Sequence, residues 1–187
     1  MARNISDWDR MVAGKLYNSA SRDIEKQHTD GMCRCGRFNK ISVRRAKAKQ
    51  RALEKLIPSA KGNGLAVFAP LYCEYGVNIH VGKGCFVNYN CTFLDVAPIA
   101  LGDGVWIGAN VTLATPMHPF LAQERLPADY PDGNHDLEYA SPITVKDGCW
   151  ICSGATVCSG GIYCRPSAHC APRDPDGLPR DIESFRL

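Results

Sequence analysis

Apolar residues recur at every sixth position through the middle of the chain. Val81, Val87 and Phe93 stand six apart, and after a two-residue slip at 96–98 the step resumes at Leu101, Ile107 and Leu113. Small residues follow at one phase: Gly82, Gly102, Gly108 and Ala114. A period of six is neither the 3.6 of an amphipathic helix nor the 2 of a half-buried strand. It predicts a parallel β-helix, in which each short strand forms one side of a coil and its apolar residue points inward. Three hexads make one triangular coil, so residues eighteen apart stack. Glycine after an inward position lets the backbone bend tightly, and such a solenoid buries a core only by stacking coils. The step returns at Val145, Ile151 and Val157, with Trp150 just before Ile151.

The flanks obey other patterns. Ser6 is placed to cap a helix with Asp7 and Asp9 in its first turn, where the helix dipole favours acids. Trp8, Met11, Val12 and Leu16 supply an apolar face at helical spacing, which Gly14 weakens. Helical character continues with interruptions to Asn39. A further helix is expected over 44–57, stopped by Pro58. Five of the eight residues 44–51 are basic. With no aromatic residues among them, they read as a solvated helix face rather than a nucleic-acid patch.

Residues 59–64, rich in Gly, Asn and Ser, read as a flexible joint. The expected organisation is therefore a helical segment over 1–58, a coil over 65–161 with an inserted loop at 119–142, and an atypical tail over 162–187. The loop carries Pro, Asp, Gly and Asn in turn-like clusters and is long for a plain connection. It starts directly after Pro116-Met117-His118-Pro119. Beyond Gly161 the apolar register fades, and Tyr163 and His169 fall at inward positions. Arg, Pro, Cys and His then crowd the tail, which reads as a shift of reading frame.

Composition narrows the class. A length of 187 residues fits one domain with an accessory segment. The formal charge of +3 is too small to indicate a nucleic-acid protein by itself. There is no long apolar run, and the first eleven residues hold no apolar core of an export signal, which points to the cytoplasm. Ten cysteines in that compartment are expected to be reduced thiols. Cys33 and Cys35 are too close for a zinc pair, and Cys149 and Cys152 follow the hexad rule instead, so no metal is expected. Cys152, Cys158, Cys164 and Cys170 keep the step of six. A stacked ladder is one reading of them, and coincidence in a tail that is no solenoid is the preferred one.

These motifs together resemble one family. Met11-Val12-Ala13-Gly14-Lys15-Leu16-Tyr17, Arg37-Phe38-Asn39, Cys73-Glu74-Tyr75-Gly76, Asn78-Ile79-His80, Asn88-Tyr89-Asn90, Leu94-Asp95-Val96, Thr115-x-x-His118-Pro119 and Cys149-Trp150-Ile151 occur in order. Residues 8–160 thus resemble the maltose/galactoside O-acetyltransferase family of hexapeptide-repeat acyltransferases. The resemblance implies a left-handed parallel β-helix behind a helical segment, an all-β class overall. It further implies a homotrimer with active sites between adjacent subunits, and transfer of acetyl from acetyl-CoA to a sugar hydroxyl.

His118 matches the family's catalytic histidine. With an ordinary pKa of about 6.5, an imidazole can take the hydroxyl proton as the oxygen attacks the thioester. Asn88 and Glu74 match acceptor-side positions, and Asp95 lies near the same surface. Trp150 and Ser153 fall where the family holds the CoA arm. No acyl-enzyme is implied, so no cysteine need be a nucleophile. Plainer roles exist for each: His118 as a coil cap, Asn88 and Asn90 as corner residues, Asp95 as the organiser of the slip at 96–98, and Trp150 as packing.

Two departures stand out. Ser21 occupies the place of an acceptor-binding Asp, with Asp23 nearby but out of register. The tail lacks the further hexads, the Gly-Asn-Pro-like turn and the basic residue that complete the CoA groove. A solenoid without its last coil exposes core and strand edges, so weak activity and poor solubility are expected. A catalytically dead scaffold and an amino-sugar N-acyltransferase are the competing readings.

Overall fold

The six-residue step closes into three parallel sheets. The structure, a computed structural model, describes residues 5–130 and 133–163. Helices α1 (Asp7–Val12), α2 (Arg22–Lys40) and α3 (Ala46–Leu56) come first, with strand β1 (Tyr17–Asn18) after α1 and a 3-10 turn at Pro58–Ala60 after α3. The first coils are built by β2 (Ala66–Val67), β3 (Leu71–Cys73), β4 (Ile79–Val81), β5 (Phe86–Val87), β6 (Cys91–Leu94), β7 (Ile99–Leu101), β8 (Trp106–Ile107) and β9 (Thr112–Ala114). Strand β10 (Pro116–Met117) leads into the insertion, which carries α4 (Ala122–Arg125), β11 (Ala128–Tyr130), β12 (Gly133–His135) and β13 (Leu137–Ala140). The coil resumes with β14 (Ile143–Val145), β15 (Trp150–Ile151), β16 (Thr156–Val157) and β17 (Ile162–Tyr163).

The sheets run β2-β5-β8-β15, β3-β6-β9-β16 and β4-β7-β14-β17, so one turn of chain visits each sheet once. The inward residues are those the period selects. Val81 faces Leu101, Val87 faces Ile107 and Phe93 faces Leu113, all buried. The stacking interval differs from the expected eighteen. It is twenty in these coils and eighteen only where Val145 meets Tyr163. The two extra residues bulge at the corner that follows the β3-β6-β9 sheet. There the buried Thr115 hydroxyl donates to the Leu94 carbonyl and accepts from the Ala97 amide, at 2.7 and 2.8 Å. The backbone of β17 carries the coil two residues past Gly161. Of the cysteines at the step of six, Cys152 and Cys158 are described, as thiols. From 164 on, the tail, with Cys164, Cys170 and the proposed frame shift, lies outside the described residues.

The cysteines of the coil replace aliphatic residues. Cys85 and Cys91 are buried in the columns that hold Val105 and Val111 one coil on, and donate their S–H to the carbonyls of Gly102 and Gly108. A thiol of this size behaves as a small hydrophobe.

The all-β expectation is corrected, because helices close one end of the coil and share its core. Buried Phe38, Leu53, Leu56 and Ile57 form one apolar cluster with Leu71, Ile79 and the inward residues beyond them. The first coil would otherwise present a bare strand edge, and each exposed N–H and C=O needs a partner. Side chains supply it. The Asn39 amide accepts from Leu71 N and donates to Leu71 O, at 3.0 and 2.8 Å, as a neighbouring strand would. The Ser59 hydroxyl does the same for β4, accepting from Val81 N and donating to Ile79 O. Asn63 donates to Val81 O. Residues 59–64 are thus a fitted cap rather than the loose joint expected.

Ser6 caps α1 as predicted, its hydroxyl accepting from Asp9 N at 3.1 Å. That helix stops at Val12, and Gly14 lies beyond it with φ +68°, turning the chain instead of weakening a helix. No helix among the described residues is long and apolar enough to cross a membrane.

Candidate active site

Two corners of the coil carry the residues of interest, on opposite edges of the β3-β6-β9-β16 sheet. The leading corner precedes these strands and holds Asn88 and Ser153. The trailing corner follows them and holds Glu74, Asp95 and the segment ending at His118.

At the trailing corner, Asp95 is fully buried. Its carboxylate accepts from the backbone N–H of Tyr75 at 2.9 Å and of Asn78 at 3.2 Å, and Asn78 Nδ2 donates to the Asp95 carbonyl. Burial lifts its pKa, with the backbone N–H groups of Tyr75, Gly76 and Asn78 opposing the lift. Asp95 therefore organises the corner from beneath and presents no surface for a ligand. Glu74 stands beside it, half-buried, with its Oε1 3.0 Å from His28 Nε2 of α2. Burial raises the Glu74 carboxyl above its ordinary range; His28 works against this, and Asp95 and Glu138 add to it. Tyr75 is held by Trp8 edge-on at 5.0 Å, by His28 at 5.9 Å, and through its carbonyl by Arg34 Nη2 at 3.0 Å.

His118 leaves β10 with half of its side chain exposed. Its Nδ1 lies 3.6 Å from Glu138 Oε1, within ion-pairing reach and beyond a hydrogen bond. Glu138 is set by β13, which pairs antiparallel with β10 on one side and with β1 on the other. The Tyr17 phenol of β1 donates to Glu138 Oε2 at 2.8 Å. Burial raises the pKa of that phenol, and the neighbouring Glu138 charge raises it further, both favouring the protonated form that donates this bond. The inserted loop, expected to be more than a plain connection, thus folds back so that its strand β13 pairs between β1 and β10 and backs the histidine.

The leading corner has a different character. Asn88 follows β5, half-buried, and its Oδ1 accepts from Tyr89 N at 2.8 Å, leaving Nδ2 to donate. Asn90 and Asn110 stack there with φ of 57° each, the left-handed corner conformation that asparagine tolerates. Ser153 Oγ accepts from Ala109 N at 3.1 Å, and its hydroxyl proton remains available. Trp150 is 59 % exposed on the outer face of β15, in register with Trp106 at 58 %. Phe86 and Phe68 extend this aromatic column, with centroids 6.1 Å from Trp106 to Phe86 and 5.2 Å from Phe86 to Phe68.

The structure thus brings His118 and Glu74 to one edge, with Asp95 beneath them, and Asn88, Trp150 and Ser153 to the other. It adds Glu138, Tyr17, His28 and Trp106. Glu138 lies where the period is silent, and nothing in the sequence links it to Tyr17. Trp106, by contrast, shares its phase with Trp150. Asp23, out of register in the sequence, accepts from Ser21 Oγ at 2.7 Å and Trp8 N at 3.2 Å, so it ties α1 to α2.

Comparison with known proteins agrees with this architecture. Residues 10–62 match the maltose acetyltransferase hexapeptide capping motif. Nodulation protein L of Rhizobium leguminosarum bv. viciae is 32 % identical over 151 residues, covering 80 % of this chain and 74 % of the relative. A maltose O-acetyltransferase of Clostridium difficile 630 superposes with a TM-score of 0.65 at 30 % identity, over 82 % of this chain and 80 % of that one. A galactoside acetyltransferase solved with coenzyme A gives a TM-score of 0.65 at 25 % identity, over 82 % and 75 %. The capping helices, the three-sided parallel coil and these relatives place the chain in the maltose/galactoside O-acetyltransferase family of hexapeptide-repeat acyltransferases.

Proposed function

We propose that the protein transfers an acetyl group from acetyl-CoA to a hydroxyl of a sugar, with His118 as general base. The carrying observation is the exposed His118 imidazole backed at Nδ1 by a carboxylate that Tyr17 holds in place. A carboxylate at Nδ1 favours the proton there and leaves the Nε2 lone pair for the acceptor. Nε2 takes the hydroxyl proton as the oxygen bonds to the thioester carbonyl carbon. The tetrahedral oxyanion collapses, the C–S bond breaks, and the departing thiolate takes the proton back from the imidazolium. Glu74 and Asn88 bind the acceptor. Asp95 serves this site through the backbone of Tyr75 and is a positioning residue.

The CoA arm fits the other edge. Exposed Trp106 and Trp150 offer an apolar bed for its pantetheine portion, and the Ser153 hydroxyl offers a donor. Because His118 and these residues lie on opposite edges of one sheet, the reading requires two copies, with each site drawing one edge from each. A homotrimer with a left-handed coil is the assembly the family resemblance implies. The division into helical segment, coil with inserted loop, and tail is part of the same reading, as is a cytoplasmic location.

The test is release of free CoA from acetyl-CoA with a panel of sugars, beside His118→Ala. Turnover that depends on both acceptor and His118 supports the reading. Turnover unchanged in the variant rejects the base, and no turnover with any acceptor favours a scaffold.

A further inference from the structure

The formal charge of +3 conceals a segregation. Twelve of the 22 lysines and arginines, but only four of the 19 acids, lie within residues 22–61. That segment therefore carries a formal +8 and the rest of the chain −5. Two of these cations have structural work: Arg34 holds the Tyr75 carbonyl, and Lys49 Nζ donates to the carbonyls of Phe38 and Ile41 at the end of α2. The cations around the α2–α3 turn are different. Arg37, Lys40, Arg44, Arg45 and Lys47 are exposed, and none has a carboxylate within ion-pairing distance among the described residues.

Two exposed aliphatic side chains sit among them. Val43, in the connection from α2 to α3, is 76 % exposed, and Met32 on α2 is 51 % exposed. Beside them runs a groove of about 850 Å³ lined by Met32, Gly36 and Ile41 together with Arg37, Lys40 and Arg45. Unpaired cations repel one another, and an exposed valine gains nothing from water. Neither feature serves the coil or the site at its corners.

We propose that the α2–α3 turn docks the protein on an anionic membrane surface. Val43 and Met32 enter the headgroup layer, and Lys40, Arg44 and Arg45 meet lipid phosphates, the pairing of apolar and basic side chains that interfacial segments use. The acidic remainder of the chain is repelled by the same surface, so the charge asymmetry orients the molecule with the turn inward. Nucleic acid fits less well. The one Phe, Tyr or Trp in residues 22–61, Phe38, is buried, so no ring is offered to a base.

The experiment is flotation of the intact protein with vesicles of phosphatidylcholine alone or mixed with phosphatidylglycerol. The protein is expected to float only with the mixed vesicles and to be released as salt rises. The triple substitution Lys40→Glu, Arg44→Glu, Arg45→Glu lowers partitioning by about a hundredfold or more, with the unfolding midpoint unchanged. A separate Val43→Trp protein keeps its charge and blue-shifts its fluorescence on mixed vesicles alone. Equal partition onto neutral vesicles overturns the proposal. So does undiminished binding by the charge-reversed variant, or a Val43→Trp signal indifferent to the mixed vesicles. Tighter binding to a DNA duplex than to mixed vesicles at one ionic strength would reassign the surface to nucleic acid.

Discussion

Tyr17 and Glu138, 121 residues apart in the chain, are joined by a 2.8 Å hydrogen bond directly behind His118. The contact exists because β1 pairs with β13 and β13 with β10, so the N-terminal segment reaches across the insertion to the histidine. Replacing Glu138 by Gln keeps the shape and removes the charge beside Nδ1. We expect kcat to fall about tenfold to a hundredfold while KM for acetyl-CoA holds. In a His118→Ala background the same change should add nothing. Additive losses in the double variant would show that Glu138 acts elsewhere than through His118.

Subunit mixing tests whether the two edges meet across copies. His118→Ala and Asn88→Ala proteins are each expected to be nearly inactive. Unfolded together and reassembled in equal amounts, they should regain about a quarter of wild-type activity, because a random neighbour pair supplies both intact edges that often. Mixtures that stay at the activity of the parents would place both residues in one copy's site.

Gly31 and Gly36 share helix α2 and have opposite prospects. A Cβ on Gly31 would run into the carbonyl of Glu74 and the backbone of Tyr75, whereas one on Gly36 meets nothing. Gly31→Ala should destabilise by about 2–3 kcal/mol through overpacking. Gly36→Ala should stabilise by about 0.5–1 kcal/mol through helix propensity. Urea unfolding of the two variants measures both signs.

Asn39 stands in for a β-strand at the start of the coil. Asn39→Ala leaves Leu71 N without its acceptor and removes one of the two donors to Leu71 O. A loss of about 2 kcal/mol is expected, with faster amide exchange at Leu71 by NMR. Stability within 0.5 kcal/mol of wild type, an order-of-magnitude bound for a neutral surface change, would count against this capping role.

The raised carboxyl of Glu74 gives a pH signature. Above its ordinary titration range the native state binds more protons than the unfolded chain. Stability relative to Glu74→Gln therefore falls as pH rises from that range through the raised value, then levels. Denaturant unfolding of both proteins across mildly acidic to neutral pH measures the difference. A relative stability that climbs with pH would mean that His28 outweighs burial.

The sequence alone determined the coil. Its strands, their inward residues and the resumption after the insertion follow from one local rule, since each hexad must present an apolar residue inward. Ser6 as a helix cap and the outward phase of Trp150 were equally local. The stacking interval was not. Each two-residue bulge is set by Asp95 and Thr115, which hydrogen-bond to backbone groups in adjoining coils. Long-range closure also decided the site's composition. Asp95, read as lying near the acceptor surface or as the organiser of the slip, proved to be buried in the second role. Glu138 carried no pattern and Tyr17 none that tied it to the histidine, and the two became neighbours through antiparallel pairing. Hydrogen bonds and charge contacts between distant segments leave no period behind, so only the tertiary structure could bring them to His118.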